Sequence, residues 1–290
     1  MLINGKAIAE EIQRELKLEL DQQKGPKPCL AVIIVGDHAP SLIYVNRKTQ
    51  ACAETGIESI RIALPSEVTE ENLISEIEKL NKNTKVNGIL LQLPLPPHIN
   101  PIHILNHISP EKDVDGLHPV NVGKMLIGEK DAFLPCTPHG IKALLERSNV
   151  NVSGKHVLII GRSNLVGKPM AAILMQNAPG ANATVTVAHS RTLNLKDLCL
   201  TADIIIAAIG QPKFVTADMV REGTVIIDVG INKIADATQK SGYKIVGDVD
   251  FDNVKDKCSL ITPVPGGVGP MTIAMLLSNT VKSFRRTQAS

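Results

Sequence analysis

Seven short apolar runs, each set off by helical or turn-rich segments, constrain this chain more than any other feature. CLAVIIVG (29–36), IESIRIAL (57–64) and GILLQLPLP (88–96) lie in the first half. KHVLIIG (155–161), ATVTVAH (183–189), ADIIIAAIG (202–210) and GTVIIDVG (223–230) lie in the second. Apolar, β-branched runs of this length bounded by glycine or proline read as buried strands. Helical patterns separate them. Ile8, Ile12, Leu16 and Leu20 recur at four-residue spacing, and a helix over 40–55 stops at Gly56. TEENLISEIEKLNK (69–82) is a helix with Thr69 as its N-cap and Asn72 where a capping box would have Glu or Gln. VGKPMAAILMQN (166–177) and the segment 270–286 are further helices, Pro270 falling in a first turn. Strands alternating with helices predict an α/β protein with mostly parallel sheets.

A chain of 290 residues suits two domains of ordinary size. A boundary falls near 136–152, where the helix in CTPHGIKALLERSNV bridges the halves. Hydrophobic residues make up 43%, enough for a substantial core, and the formal net charge is only +2 with no long run of one sign. That balance argues against a nucleic-acid or membrane partner. The start, MLINGKAIAEEIQRELK, lacks a signal peptide's apolar segment, and no apolar run approaches the ~18 residues of a membrane span. The expected location is the cytoplasm. Cys29, Cys52, Cys136, Cys199 and Cys258 are odd in number and contain no C-x-x-C pair, so reduced thiols are expected, with no disulfide scaffold or zinc site.

Four stretches could carry chemistry. In IIGRSNLVGKP (159–169) a strand ends in Gly161 and Gly167 opens a helix, the place where open α/β sheets bind phosphates. The spacing G-x-x-x-x-x-G departs from G-x-G-x-x-G, and an ordinary glycine turn would look the same. The next strand adds information. It ends in His189, Ser190, Arg191 and Thr192, with no acid to accept from a ribose 2′-hydroxyl. Arg162, Ser190 and Arg191 would attract a 2′-phosphate, which predicts NADP over NAD.

Tyr44 and Lys48 form the second site. Residues i and i+4 share a helical face, with Cβ atoms roughly 5–6 Å apart. A solvated lysine beside a packed tyrosine is the ordinary explanation. The Tyr-x-x-x-Lys of short-chain dehydrogenases follows a glycine fingerprint, and here the order is reversed, so that reading is rejected. Third, Gln92 lies at the carboxyl end of a strand, and Asp113 and Asp115 flank a turn at Gly116, a pattern that turn chemistry alone explains. His103 and His107 stand at i, i+4 without a third ligand, and no metal site is assigned. Fourth, TPVPGGVGPMT (262–272) is a stiff loop whose Gly266 and Gly267 permit close backbone approach to a ligand.

Taken in order, YVNRK (44–48), QLPLP (92–96), DVDGLHP (113–119), GRSNLVGKP (161–169), DVGIN (228–232) and PVPGGVGPMT (263–272) closely resemble the bifunctional methylenetetrahydrofolate dehydrogenase/methenyltetrahydrofolate cyclohydrolase family, over essentially the whole chain. The resemblance implies two α/β domains around a cleft. Residues 1–138, completed by a C-terminal helix at 270–290, would form the folate-binding catalytic domain. Residues 139–269 would form a Rossmann-type NADP-binding domain with a parallel sheet. It implies oxidation of 5,10-methylenetetrahydrofolate with NADP, hydrolysis of the product to 10-formyltetrahydrofolate, and a homodimer paired through the cofactor domains.

By the same resemblance Lys48 is the catalytic lysine, with Tyr44, Gln92 and Asp115 beside it. Tyr44 lines the folate site and orients the lysine, Gln92 contacts it, and Asp115 recognises the pterin. Leu93 and the Pro265, Gly266 and Gly267 loop complete the folate contacts. Gly161, Arg162, Ser163, Val166 and Gly167 form the cofactor loop, Ser190 meets the 2′-phosphate, and Ile231 offers a backbone contact on the nicotinamide side. Tyr44 and Gln92 would hold the amine by hydrogen bonds. An amine base working near neutral pH must be brought down from a reference value of ~10.4, which desolvation and a nearby cation both do. Two alternatives stay open at this point: a monofunctional dehydrogenase, and a non-catalytic nucleotide sensor.

Overall fold

All seven apolar runs form strands, and every pairing among them is parallel. The structure is a computed structural model and describes residues 1–239 and 242–289. Lys240 and Ser241 of the expected second domain, and Ser290 of the expected C-terminal segment, lie outside the described residues. The chain divides into two units. One comprises Glu10–Cys136 and the chain from Ile273 on; the other comprises Met1–Ala9 with Thr137–Thr272.

In chain order, α1 (Gly5–Gln22) is followed by β1 (Cys29–Val35), α2 (Ala39–Thr55), β2 (Glu58–Leu64), α3 (Glu70–Lys82) and β3 (Gly88–Leu91). The sheet order is β2-β1-β3. β1 is buried at every position, as a central strand covered on both faces must be. α3 begins where Thr69 accepts a hydrogen bond from the Asn72 amide. Glu70 and Glu71 in its first turn and Lys79 and Lys82 in its last complement the helix dipole. Its apolar stripe, Leu73, Ile77 and Leu80, packs into one core with Ala31, Ile33, Ile89 and Leu91. Each of the leucines and isoleucines contributes about 1.5–3 kcal/mol by leaving water.

The run GILLQLPLP is a strand only to Leu91, because prolines cannot donate to a ladder. Two helices that the sequence reading passed over come next, α4 (Pro101–Leu105) and α5 (Pro119–Ile127). Each begins at a proline behind a side-chain cap, Asn100 for α4 and His118 for α5. α6 (Cys136–Arg147) leads to the second sheet.

That sheet uses β4 (His156–Ile160), α7 (Gly167–Leu174), β5 (Thr184–Ala188), α8 (Leu195–Thr201), β6 (Ile204–Ala207) and β7 (Val225–Asp228). β8 (Asn232–Ala235) and β9 (Tyr243–Val246) pair antiparallel as a separate hairpin. α9 (Phe251–Val254), β10 (Leu260–Ile261) and α10 (Val268–Ala289) complete the order. The sheet runs β10-β7-β6-β4-β5. The direction of winding therefore reverses between β4 and β6, the switch point where open α/β sheets bind ligands. The first residues of the chain extend this unit: the Ile3 amide donates to Ile261 O at 2.9 Å, and Leu2 bridges Ile261 in parallel. All five cysteines are free and buried. Among the described residues, no helix is long and apolar enough to cross a membrane.

Candidate active site

Helix α2 carries Tyr44 and Lys48 one turn apart. The Lys48 ammonium donates to Gln92 Oε1 at 3.0 Å. Gln92 is the first residue beyond β3, at the carboxyl end of the sheet beside β1, and its amide still donates to Ile33 O. Its side-chain Nε2 donates to Leu93 O at 2.7 Å, which leaves the oxygen facing the lysine. Leu93 thus acts through its carbonyl. Tyr44 is 40% exposed, and its hydroxyl is not a partner of Lys48, so the expected second hydrogen bond to the amine is absent among the described residues.

The two aspartates of DVDG separate cleanly. Asp113 is buried and accepts from the Leu117 amide (3.1 Å), the His118 amide (2.8 Å) and Asn121 Nδ2 (2.8 Å). Burial pushes its carboxyl up to about 6 against the pull of those donors. It builds the turn. Gly116 lets that turn close: its φ is +71°, and a Cβ there would lie 2.6 Å from the Leu134 carbonyl carbon. Asp115 is left half-buried beside the Cys136 thiol. Burial holds that thiol well above its ordinary value, Asp115 adds to the shift, and the Lys48 charge opposes it. Asp115, Lys48 and Cys136 therefore share one electrostatic neighbourhood. Asn279 of α10 fixes its floor, donating to Val114 O (2.8 Å) and Leu134 O (3.0 Å). Cys136 and Asn279 were missed as site residues; the only sequence signal was an asparagine inside an apolar helix, IAMLLSNTV.

The other unit holds the remaining candidates. Beyond β4, the Gly161 amide donates to Ala188 O, tying the ends of β4 and β5 together. Gly161 has φ +124°, and a Cβ on it would lie 2.2 Å from Ala208 O; a Cβ on Gly167 would lie 2.1 Å from Gly161 O. Only glycine permits this close strand-to-helix passage. The Ser163 hydroxyl accepts from the Val166 amide at 3.1 Å and shapes the loop from within. The turn after β5 is held by His189 and Thr192, through Thr192 Oγ1 to the His189 amide (2.9 Å) and His189 Nδ1 to the Arg191 amide (3.2 Å). The side chains of Arg162, Ser190 and Arg191 are exposed at these strand ends. No acid pairs with either arginine among the described residues.

Ile231 is 52% exposed, and its two neighbours are held by buried carboxylates, one through the Gly230 amide and the other through the Asn232 side chain. Asp228 accepts from the amides of Gly230 (3.0 Å), Asp248 (2.8 Å) and Val249 (3.0 Å). Asp248 accepts from the Ile209 (2.7 Å) and Gly210 (2.9 Å) amides and from Asn232 Nδ2 (2.9 Å). Burial and the neighbouring Asp248 push Asp228 up to about 6, against its amide donors. Asp248 and Asn232 were not singled out from sequence. Pro265, Gly266 and Gly267 lie beyond β10, where Gly266 O accepts from the Lys6 amide at 2.9 Å and a Cβ on Gly267 would lie 2.6 Å from Pro263 O. So Tyr44, Lys48, Gln92, Leu93 and Asp115 fall in one unit, and Gly161, Arg162, Ser163, Val166, Gly167, Ser190, Ile231 and Pro265–Gly267 in the other.

A doubly wound sheet with a glycine-lined switch point, in one chain with a second α/β unit bearing a lysine–glutamine pair, defines a dinucleotide-binding α/β enzyme. The family model described as the tetrahydrofolate dehydrogenase/cyclohydrolase catalytic domain matches residues 3–115, and that family's NAD(P)-binding domain matches residues 135–288. The chain belongs to the tetrahydrofolate dehydrogenase/cyclohydrolase family. It is 66% identical to the bifunctional protein FolD of Protochlamydia amoebophila over 99% of both chains. The crystal structure of the FolD methylenetetrahydrofolate dehydrogenase/cyclohydrolase from Campylobacter jejuni is 49% identical, with a TM-score of 0.93 over 99% of each chain. The Trypanosoma brucei enzyme, solved with NADP and an inhibitor, is 41% identical with a TM-score of 0.94, covering 100% of this chain and 99% of that one.

Proposed function

We propose that this chain is a bifunctional enzyme of one-carbon metabolism. It oxidises 5,10-methylenetetrahydrofolate with NADP and hydrolyses the methenyl product to 10-formyltetrahydrofolate. The observation that carries the hydrolytic half is the Lys48–Gln92 hydrogen bond at 3.0 Å, beside Asp115. A dehydrogenase alone has little need for a positioned amine, because the folate nitrogens stabilise the cation left by hydride loss.

The residues after β4 and β5 fit a dinucleotide phosphate. Gly161 and Gly167 let the backbone pass closely at the switch point, and Arg162 and Arg191, which pair with no acid among the described residues, with Ser190 favour a 2′-phosphate over a bare ribose. When bound, the nicotinamide supplies the hydride acceptor. The backbone around Ile231, held by Asp228 and Asp248, would orient that ring edge. Asp115 accepts from pterin N–H groups and Tyr44 walls the folate. In the second step water attacks the methenyl carbon and releases a proton. Lys48 Nζ is the group placed to take or direct that proton, held by Gln92 Oε1 while Leu93 O fixes the amide. Positioning of this kind is where the protein contributes most to both steps.

We place the enzyme in the cytoplasm as a homodimer paired through the cofactor unit, with no nucleic-acid or membrane partner. A coupled absorbance assay that follows NADPH and the methenyl species separately tests the reading. Lys48→Met should abolish methenyl hydrolysis and leave measurable NADP-dependent oxidation. Equal loss of both would make Lys48 a folate-binding residue only.

A further inference from the structure

His103 and His107 meet edge to face at the end of α4. Their ring centroids are 5.1 Å apart at an interplanar angle of 74°, and their Nε2 atoms are separated by 3.4 Å. That is long for a hydrogen bond between nitrogens. It matches the separation of two ligands on one tetrahedral ion: with metal–nitrogen bonds of about 2.0–2.1 Å, tetrahedral geometry sets the nitrogens about 3.3–3.4 Å apart. A third residue completes the arrangement from a different element. Glu70, in the first turn of α3, has Oε2 2.8 Å from His103 Nδ1, while its Oε1 accepts from the Asn100 amide at 2.5 Å. A carboxylate on Nδ1 fixes the imidazole tautomer and leaves the Nε2 lone pair free, as the outer partners of metal-bound histidines do. The His107 carbonyl is itself held by Asn81 Nδ2 at 2.7 Å, which anchors the second ligand.

We propose that His103 and His107 form a binding site for a divalent transition-metal ion of the zinc class, with Glu70 as the positioning residue behind His103. The His103 side chain is 52% exposed, so the ion is open to solvent on one side and two water molecules complete its tetrahedron. In the metal-free pair, the proton on His103 Nδ1 belongs to the Glu70 contact, so His107 donates its Nε2–H to His103 Nε2. On binding, that proton transfers to His107 Nδ1 by way of water, both Nε2 lone pairs turn to the ion, and no net proton is released. The site shares no residue with Lys48, Gln92 and Asp115.

Calorimetric titration of the full chain with zinc chloride tests the proposal, with cobalt(II) absorption as a second readout. We expect one saturable ion per chain and a tetrahedral cobalt spectrum, both lost in His103→Ala and in His107→Ala. Glu70→Gln keeps an oxygen for the Asn100 amide but cannot accept on both sides, so affinity should fall about 10- to 100-fold with both ligands intact. NADP-dependent oxidation should be unchanged in all three variants, which keeps loss of metal distinct from loss of fold. Absence of saturable zinc binding, or the same binding in a His103→Ala/His107→Ala chain, would overturn the site. An octahedral cobalt spectrum would overturn its geometry.

Discussion

Asp113 exchanges water for two amides and the Asn121 side chain, and burial still leaves its carboxyl at about 6. The sign of the linkage follows directly. Between its unfolded value, near 4, and about 6, the folded chain holds a proton that the unfolded chain has lost, so stability from this residue falls as pH rises through that window. The full change is on the order of 3 kcal/mol. Asparagine cannot titrate. The stability of the wild type relative to Asp113→Asn should therefore decrease between about pH 4 and about pH 6 and then level off, as read from urea unfolding midpoints. A flat difference would show that the donors balance burial, and a rising one that they outweigh it. At this scale the sequence exposes the lysine, glutamine and aspartates because they sit in short motifs. It hides what tells Asp113 from Asp115. That depends on Asn121, on Cys136 and on Asn279, the last lying 165 residues from the Val114 carbonyl it meets.

Among the elements, the loops after β6 and β7 depend on one side chain. Asp248 accepts from Ile209, Gly210 and Asn232, and among the described residues no other joins the same three groups. Replacing it with asparagine sets an N–H against buried donors, at a cost of about 1–3 kcal/mol. The loop carrying Ile231 should loosen first. Asp248→Asn is expected to raise the KM for NADP about tenfold, a change of about 1.4 kcal/mol, while the folate KM stays within a factor of two or so. Steady-state kinetics with each substrate varied would check this, and an equal rise in both would indicate general loss of structure. The strands themselves were legible because buried parallel strands leave continuous apolar runs. Their ends were not, since Pro94 rather than hydrophobicity stops β3. α4 and α5 are too short for periodicity to declare them, and β8 and β9 alternate buried and exposed residues too weakly to stand out.

Across the whole molecule, the cofactor couples to folding by mass action. A ligand that binds only the native state at about 100 times its Kd stabilises by about 2.7 kcal/mol. Because Arg162 and Arg191 pair with no acid among the described residues, NADP should raise Tm more than NAD at equal concentration, and Arg162→Ala with Arg191→Ala should narrow the gap. Thermal melts with each nucleotide measure it; equal shifts would show that the 2′-phosphate adds nothing to binding. Two-unit organisation was visible in the sequence as two sets of apolar runs. The exchange of Met1–Ala9 into the unit of the five-stranded sheet was not, because a single bridge at Leu2 and hydrogen bonds from Met1 and Ile3 to the 259–261 segment leave no periodic trace.

The buried thiols make the chain its own clock. Cys29, Cys52 and Cys136 belong to one unit, Cys199 and Cys258 to the other, and all five are shielded in the folded protein. A thiol reagent can therefore reach sulfur only when the surrounding structure opens. Peptide mapping of the order in which the two groups become alkylated would read which half of the enzyme breathes first, without any engineered probe.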